Sequence, residues 1–283
     1  MHAAPQSPSS SAVAERPPWF VRRGGTLPGT TAHAMGEVMV LLGLPVEPWA
    51  QACAVRMTHV RAHTPFHGEG DVLRALYVVR HGAFKCVRLS EDGYEHVLGF
   101  AWQADLLGLD GLAGGTHPLS LMALEDASVF VLPLPELAAW RRQSAVLDRE
   151  LMRALSLQLT RAREVAIMMS AVASEARLAR LLVWLAGRAA SGGGPASRFL
   201  LRMSRRDIAS LLGIAHETVS RGFSLLSEWG YVKVDNRDVE ILDMPGLLAC
   251  TRATRRDSDE LRPAALLRRP PAPERRLPSV AGG

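Results

Sequence analysis

Residues 204–221 read SRRDIASLLGIAHETVSR, and this stretch decides how the rest of the chain is interpreted. Ser204 and Asp207 have the S-x-x-D spacing of a capping box, in which a serine oxygen accepts from an orphan helix amide while the acid complements the helix dipole. A helix therefore starts there, carrying Ile208, Leu211 and Leu212 on its apolar side. Gly213 follows, the residue type that turns tightly through the left-handed region. A second helix is predicted over about His216 to Trp229. On it Glu217, Ser220, Arg221 and Ser224 share one face at helical spacing, while Val219, Phe223 and Leu226 share the opposite one. Gly230 stops it. Tyr231 to Val234, a turn at Asp235-Asn236-Arg237, and Val239 to Ile241 alternate as a hairpin does. Helix, turn, helix and wing together make a DNA-binding arrangement.

The outward face carries base-reading chemistry. An arginine such as Arg221 pairs in bidentate fashion with guanine, a glutamate such as Glu217 accepts from a base amino group, and Ser220 suits either groove edge. Arg205, Arg206 and Thr218 lie where phosphates pass, supplying affinity without base information. The chain's formal net charge of +5 does not settle the matter. Between 250 and 283 eight arginines face four acids, so much of the excess belongs to the tail.

Upstream of the motif, a helix over about Glu175 to Ala190 is stopped by Gly192-Gly193-Gly194-Pro195. Before it, Leu147 to Val172 contains neither Gly nor Pro. Met152, Leu155, Leu159, Ala162, Ala166 and Met169 recur there at alternating spacings of three and four, the seam of a coiled coil, so a long helix with a second copy of itself as partner is expected. Arg153, Arg161, Arg163 and Glu164 fall on other faces and are expected to stay in water. From about 57 to 133 the pattern changes to short apolar or alternating runs separated by His81-Gly82 and Asp92-Gly93, namely Leu76 to Val79, Phe84 to Val87, His96 to Phe100, Leu119 to Leu124 and Ser128 to Leu132. Such runs make a small antiparallel sandwich or barrel.

With 283 residues, 48% hydrophobic and 22% charged, the chain has an ordinary globular composition, and no run of about 18 apolar residues points to a membrane span. Cys53, Cys86 and Cys250 form no CxxC pair, which fits a reducing cytoplasm better than a disulfide framework. Arg22-Arg23 is followed by a mixed segment containing Glu37 rather than the apolar core of an export signal. Residues 1–35, rich in Ala, Pro, Ser and Gly, and the basic Pro/Arg-rich residues 248–283 are read as disordered.

Taken together over about 36–247, these features resemble the Crp/Fnr superfamily of bacterial transcription regulators. Glu217-Thr218-Val219-Ser220-Arg221 matches the recognition motif of its Fnr branch, whereas the Crp branch has glycine before the arginine. Gly70-Asp71, Leu76-Tyr77, Gly82, Gly99-Phe100, Asp105 to Gly108, His117-Pro118 and Ala123 to Glu125 look like the Fnr-type β-roll. The resemblance implies an α+β fold with a cyclic-nucleotide-binding-like antiparallel β-roll sensor (36–145), a long dimerisation helix (146–172) and a winged helix-turn-helix (173–247). It also implies a homodimer reading a TTGAT-like palindrome, its two recognition helices about 34 Å apart. Promoter activation through RNA polymerase follows, with low-oxygen, nitrogen-oxide or respiratory genes as targets. Three positions depart from the pattern: Ala215 where a Ser or Thr cap is usual, Gly222 where an apolar anchor is usual, and Ala104 in place of the glycine before Asp105.

Departures also bear on the effector. Fnr proteins hold an iron-sulfur cluster with three amino-terminal cysteines and one in the roll. No cysteine here precedes Cys53, and Phe130 occupies the fourth ligand's place, so that cluster is expected to be absent. Cyclic-AMP-binding relatives use a glutamate after the glycine matching Gly108 and a later Arg-Ser pair; here these read Leu109 and Leu119-Ser120, so cyclic AMP in that mode is expected to be absent too. Haem stays open, because His59, His63, His67, His81 and His117 lie in or near the sensor. Two other classes compete: a regulatory module acting only through protein contacts, and a metal-dependent β-barrel enzyme built on His59, His63 and His67, which Pro65 interrupts. The expectation is a non-enzyme.

Overall fold

The computed structural model of the chain describes residues 31–252. The elements in chain order are β1 (Thr31–Ala34), α1 (Met35–Leu41), α2 (Pro48–Ala52), β2 (Ala54–Val60), β3 (Pro65–His67), β4 (Ala75–His81), β5 (Phe84–Leu89), β6 (Glu95–Ala101), β7 (Leu106–Leu107), β8 (Ser120–Ala123), β9 (Ala127–Pro133), α3 (Leu134–Gln143), α4 (Ala145–Met169), α5 (Ser174–Ser191), β10 (Arg198–Leu200), α6 (Arg205–Leu212), α7 (His216–Glu228), β11 (Val232–Asp235), β12 (Asp238–Ile241) and α8 (Met244–Arg252). The described chain forms two compact units, one comprising residues up to 165 with 202–211, the other 166–201 with 212–252.

Two sheets make the first unit, ordered β1-β2-β9-β4-β7 and β3-β8-β5-β6. The central strands of the larger sheet, β4 and β9, are buried on both faces. Successive side chains of a strand point to opposite faces, so Leu76 and Val78 of β4 and Phe130 and Leu132 of β9 join one apolar cluster with Met35 and Met39 of α1, Trp140 of α3 and Leu147 and Leu151 of α4. Val79 and Val129 face the other way, toward Phe84, Leu121 and Ala123 of the smaller sheet. That double burial explains why β9 is apolar from Val129 to Pro133.

α4 begins where the buried Ser144 accepts a 3.1 Å hydrogen bond from the Leu147 amide, a cap absent from the sequence-based reading. Arg161 does not stay in water. It pairs at 2.9 Å with Asp105, whose carboxylate also accepts from the Trp102 amide at 3.0 Å. The α6 segment of this unit carries a closed capping box: Asp207 accepts from the Ser204 amide (2.9 Å) and hydroxyl (2.7 Å), and its own amide donates to the Ser204 hydroxyl at 3.1 Å.

In the second unit α5 packs on α7 and α8, and the hairpin of β11 and β12 is extended by β10 pairing with β12. Asn236 has φ 52°, the left-handed conformation that a two-residue hairpin turn demands.

Several sequence boundaries need correcting. Residues 31–35, read as part of a disordered segment, form β1 and the start of α1, because the Thr31–Ala34 backbone pairs in register with β2. Residues 248–252, assigned to the basic tail, continue α8, which buries Leu247 and Cys250. The long helix ends at Met169 rather than 172. The rest of both terminal segments, 1–30 and 253–283, lies outside the described residues. No helix among the described residues is long and apolar enough to cross a membrane.

Two stability consequences follow. Ala104, where the resemblance implies a glycine, has φ 65°, a region that costs a residue with a Cβ about 1–2 kcal/mol. Ala104→Gly is expected to raise the unfolding free energy by about 0.5–1 kcal/mol after the extra chain entropy of glycine is deducted, measured by urea denaturation. His67 and His117 stack at 3.6 Å between ring centroids. Burial, then the neighbouring His117, pushes the His67 pKa down to about 3 from 6.5. Between those values the unfolded chain binds the proton more readily, so stability falls as pH is lowered from about 6.5, at up to about 1.4 kcal/mol per pH unit. His67→Phe should flatten that slope in denaturation curves taken at pH 7 and pH 5.

Candidate nucleic-acid interface

α7 is anchored wholly from one side. Val219, Phe223 and Leu226 are buried, and Gly222 is buried among them. A Cβ on Gly222 would lie 3.1 Å from a Leu178 methyl of α5. The glycine that departs from the family pattern therefore permits a close helix approach, which sequence alone registers only as a loss of helix propensity. Ala215 at the amino end provides no side-chain cap, and Glu217 in the first turn complements the dipole instead.

The opposite face is open to solvent: Glu217, Ser220, Arg221 and Ser224 are all exposed. The two serine hydroxyls donate back to carbonyls one turn earlier, Ser220 to His216 and Ser224 to Ser220, both at 3.3 Å. The Arg221 guanidinium donates to the Thr218 hydroxyl at 3.3 Å. Half-buried Thr218 thus bonds to the arginine expected to read a base. His216 Nδ1 lies 3.2 Å from Glu217 Oε1.

α6 and α7 are separated by Gly213, Ile214 and Ala215, with Gly213 at φ 62°. In the second unit the α5 residue Arg177 donates to the carbonyls of Leu212 (2.9 Å) and Gly213 (3.4 Å), satisfying helix-end acceptors that would otherwise lack partners. No sequence signal singles out Arg177, because a long-range cap has no fixed spacing. At the amino end of α6, Arg206 is exposed, while Arg205 is half-buried and burial holds its guanidinium below the usual range. On the wing, Lys233 and Arg237 are exposed, and Arg198 of β10 makes a side-on pair with Asp238 (2.5 and 3.1 Å) that fixes the base of the hairpin.

On α4, Met152, Leu159, Ala162, Ala166 and Met169 are exposed, whereas Leu155 is half-buried against the sensor core. Ile167, outside the seam expected from the sequence, is exposed as well. The three histidines of the enzyme alternative lie on separate elements: His59 on β2, His63 in a turn at φ 58°, His67 on β3. Among the described residues no group of three or more His, Cys, Asp or Glu could hold a metal ion.

Known proteins share both halves of this arrangement. The Crp-like helix-turn-helix domain family matches residues 176–250, and the cyclic nucleotide-binding domain family matches 57–144. The transcriptional regulatory protein btr of Bordetella pertussis is 35% identical over 216 residues, covering 75% of this chain and 89% of that protein. The transcriptional activator protein anr of Pseudomonas aeruginosa is 35% identical over 181 residues, covering 64% of this chain and 74% of that one. FixK2 from Bradyrhizobium japonicum superposes with a TM-score of 0.62 at 25% identity, over 69% of this chain and 96% of FixK2. A Crp-family regulator of Thermus thermophilus shares the fold, with a TM-score of 0.56 at 22% identity over 70% of this chain and 98% of that one. A sheet-built cyclic-nucleotide-binding-type domain followed by a Crp-like helix-turn-helix, in a chain this similar to btr, establishes that the protein belongs to the Crp/Fnr family of transcription regulators.

Proposed function

We propose that the protein binds DNA as a homodimer and reads a TTGAT-like palindrome through Glu217, Ser220 and Arg221, with Arg205, Arg206 and Thr218 toward the phosphates. The observation that carries this is the division of α7 into a buried apolar face and a solvent-facing Glu-Ser-Arg face. Arg221 supplies the planar donor pair for a guanine edge, and Glu217 accepts from a base amino group. We further propose promoter activation with RNA polymerase as partner, and low-oxygen, nitrogen-oxide or respiratory genes as targets. The Fnr-branch recognition residues and the kinship with a named transcriptional activator support this. The cytoplasm is the proposed compartment.

Dimerisation is proposed along α4. Met152 is 52% exposed, Leu159 55% and Met169 42%, an apolar line on one chain that a second copy covers in register.

For the effector, the residues present do not fit two known modes. At the place of a fourth cluster ligand stands Phe130, 1% exposed and in edge contact with His33. At the cyclic-phosphate place Leu109 is 3% exposed, and the Ser120 hydroxyl already accepts from the Glu69 amide at 2.9 Å. We therefore propose a sensor without an Fnr-type cluster and without cyclic AMP bound in the Crp manner. A thiol switch fits poorly as well, since burial pushes Cys86 up to about 12 and Cys250 up to about 11. Haem is retained as a candidate whose absorption spectrum after anaerobic purification decides it.

Two measurements test the function. Wild-type protein should bind a TTGAT palindrome in fluorescence anisotropy, and Arg221→Ala should lose about 1–3 kcal/mol of specific binding and relax preference at the guanine. Unchanged affinity and specificity would remove Arg221 from the reading role. Leu159→Glu should shift the protein from dimer to monomer in sedimentation and abolish palindrome binding while leaving the far-ultraviolet circular dichroism in place.

A further inference from the structure

Lys85 is the anomaly of the sensor. It follows the buried core residue Phe84 on β5, so the period of the strand sends it to the outer face of the smaller sheet, yet only 8% of it is exposed. α6 accounts for this within the first unit. The Lys85 ammonium donates to Glu95 of β6 at 2.6 Å and to Asp207 of α6 at 3.0 Å. One turn along α6, the Ser210 hydroxyl donates to the Glu95 carbonyl at 2.8 Å and accepts from the Val97 amide at 2.9 Å, satisfying two backbone groups of β6, the last strand of its sheet. Arg202, just ahead of the helix, pairs with Glu125 in the turn between β8 and β9. Lys85 stays charged throughout: burial pulls its pKa down, but the bonds to Glu95 and Asp207 outweigh that and leave it above the usual range.

The seam is polar where an apolar one would hold more firmly, since buried ion pairs contribute little net stability but fix geometry. Each of these bonded groups is one that water solvates well, so the bonds can be exchanged for bonds to water. Parting has a consequence for charge. Docked, Arg202 is neutralised by Glu125, and the carboxylates of Glu95 and Glu125 lie beside the helix start where phosphates are expected to approach.

We propose that Lys85 and Ser210 restrain DNA binding: they hold α6, the first helix of the reading motif, against the sensor roll, and DNA binds more tightly when that seam opens. This rests on the DNA-binding reading above and adds the residues through which the sensor restrains it.

The experiment uses the full-length chain and four variants, Lys85→Met, Ser210→Ala, Arg202→Glu and the charge swap Arg202→Glu with Glu125→Arg. Amide hydrogen exchange over 205–212 reports the seam without DNA; anisotropy with the TTGAT palindrome reports binding. Each single substitution should speed exchange and raise affinity by about fivefold or more, and the swap should return both to wild-type values. The sign separates this from a structural or purely electrostatic effect. Lys85→Met and Arg202→Glu both make the protein less positive, so charge alone weakens binding. Faster exchange with equal or weaker binding overturns the proposal, as does unchanged exchange in all three. Arg202→Glu, at an exposed pair, stands in if Lys85→Met does not fold. A wild-type chain that ignores the palindrome while the exchange pattern is as expected overturns the DNA-binding reading and with it the restraint.

Discussion

A helix that reads base edges has to leave its polar side chains unused by the protein and still be held without play. In α7 all the holding comes from behind. Val219, Phe223 and Leu226 are buried, Gly222 lets α5 approach to van der Waals distance, and Arg177 ties off the carbonyls just ahead of the helix. The front is left out of the packing. Among the described residues, the Glu217, Ser220 and Arg221 side chains bond to neighbours on the helix itself, contacts that are readily exchanged for a base. The rest of the molecule can be understood as the apparatus that places this one face.

Much of that apparatus is visible in the chain itself, and the reason is local physics. A capping box, a turn glycine and two opposed faces at helical spacing are each properties of a few consecutive residues, so the helices and the wing hairpin could be located without coordinates. The strands flanking Gly82 and Gly93 were equally legible, because both glycines sit at positive φ in tight turns. What escaped was long-range. β10 is three residues that become a strand only because β12 lies beside them, and β1 exists through its pairing with β2. Arg161 looked like a solvated charge on a helix surface until Asp105, far away in sequence, was found beneath it. Gly222 looked like a weakness; its value depends on Leu178.

The sensor half shows the same inversion of expectation. Its residues 57–144 match the cyclic nucleotide-binding domain family, while the proposed absence of cyclic AMP in the Crp manner turns on Leu109 and Leu119, and that of an Fnr-type cluster on Phe130. Fold and ligand are separable properties: the roll needs apolar side chains on both faces of its larger sheet, and that requirement is met whatever occupies the pocket. The polar groups worth attention lie elsewhere, in the stacked His67 and His117 and on the outer face at Lys85.

The hydroxyl of Ser210 also has a bearing on solubility. β6 is an end strand, and a strand whose backbone donors and acceptors are unmatched is a template on which another polypeptide can be laid down. With α6 in place, two of those backbone groups are occupied and the adjoining surface is screened. Any state in which the helix leaves exposes a sticky border, with Leu98 already 47% exposed upon it. Cohesion between copies is thus a hazard confined to the undocked state, the same state that tighter binding of duplex DNA would favour.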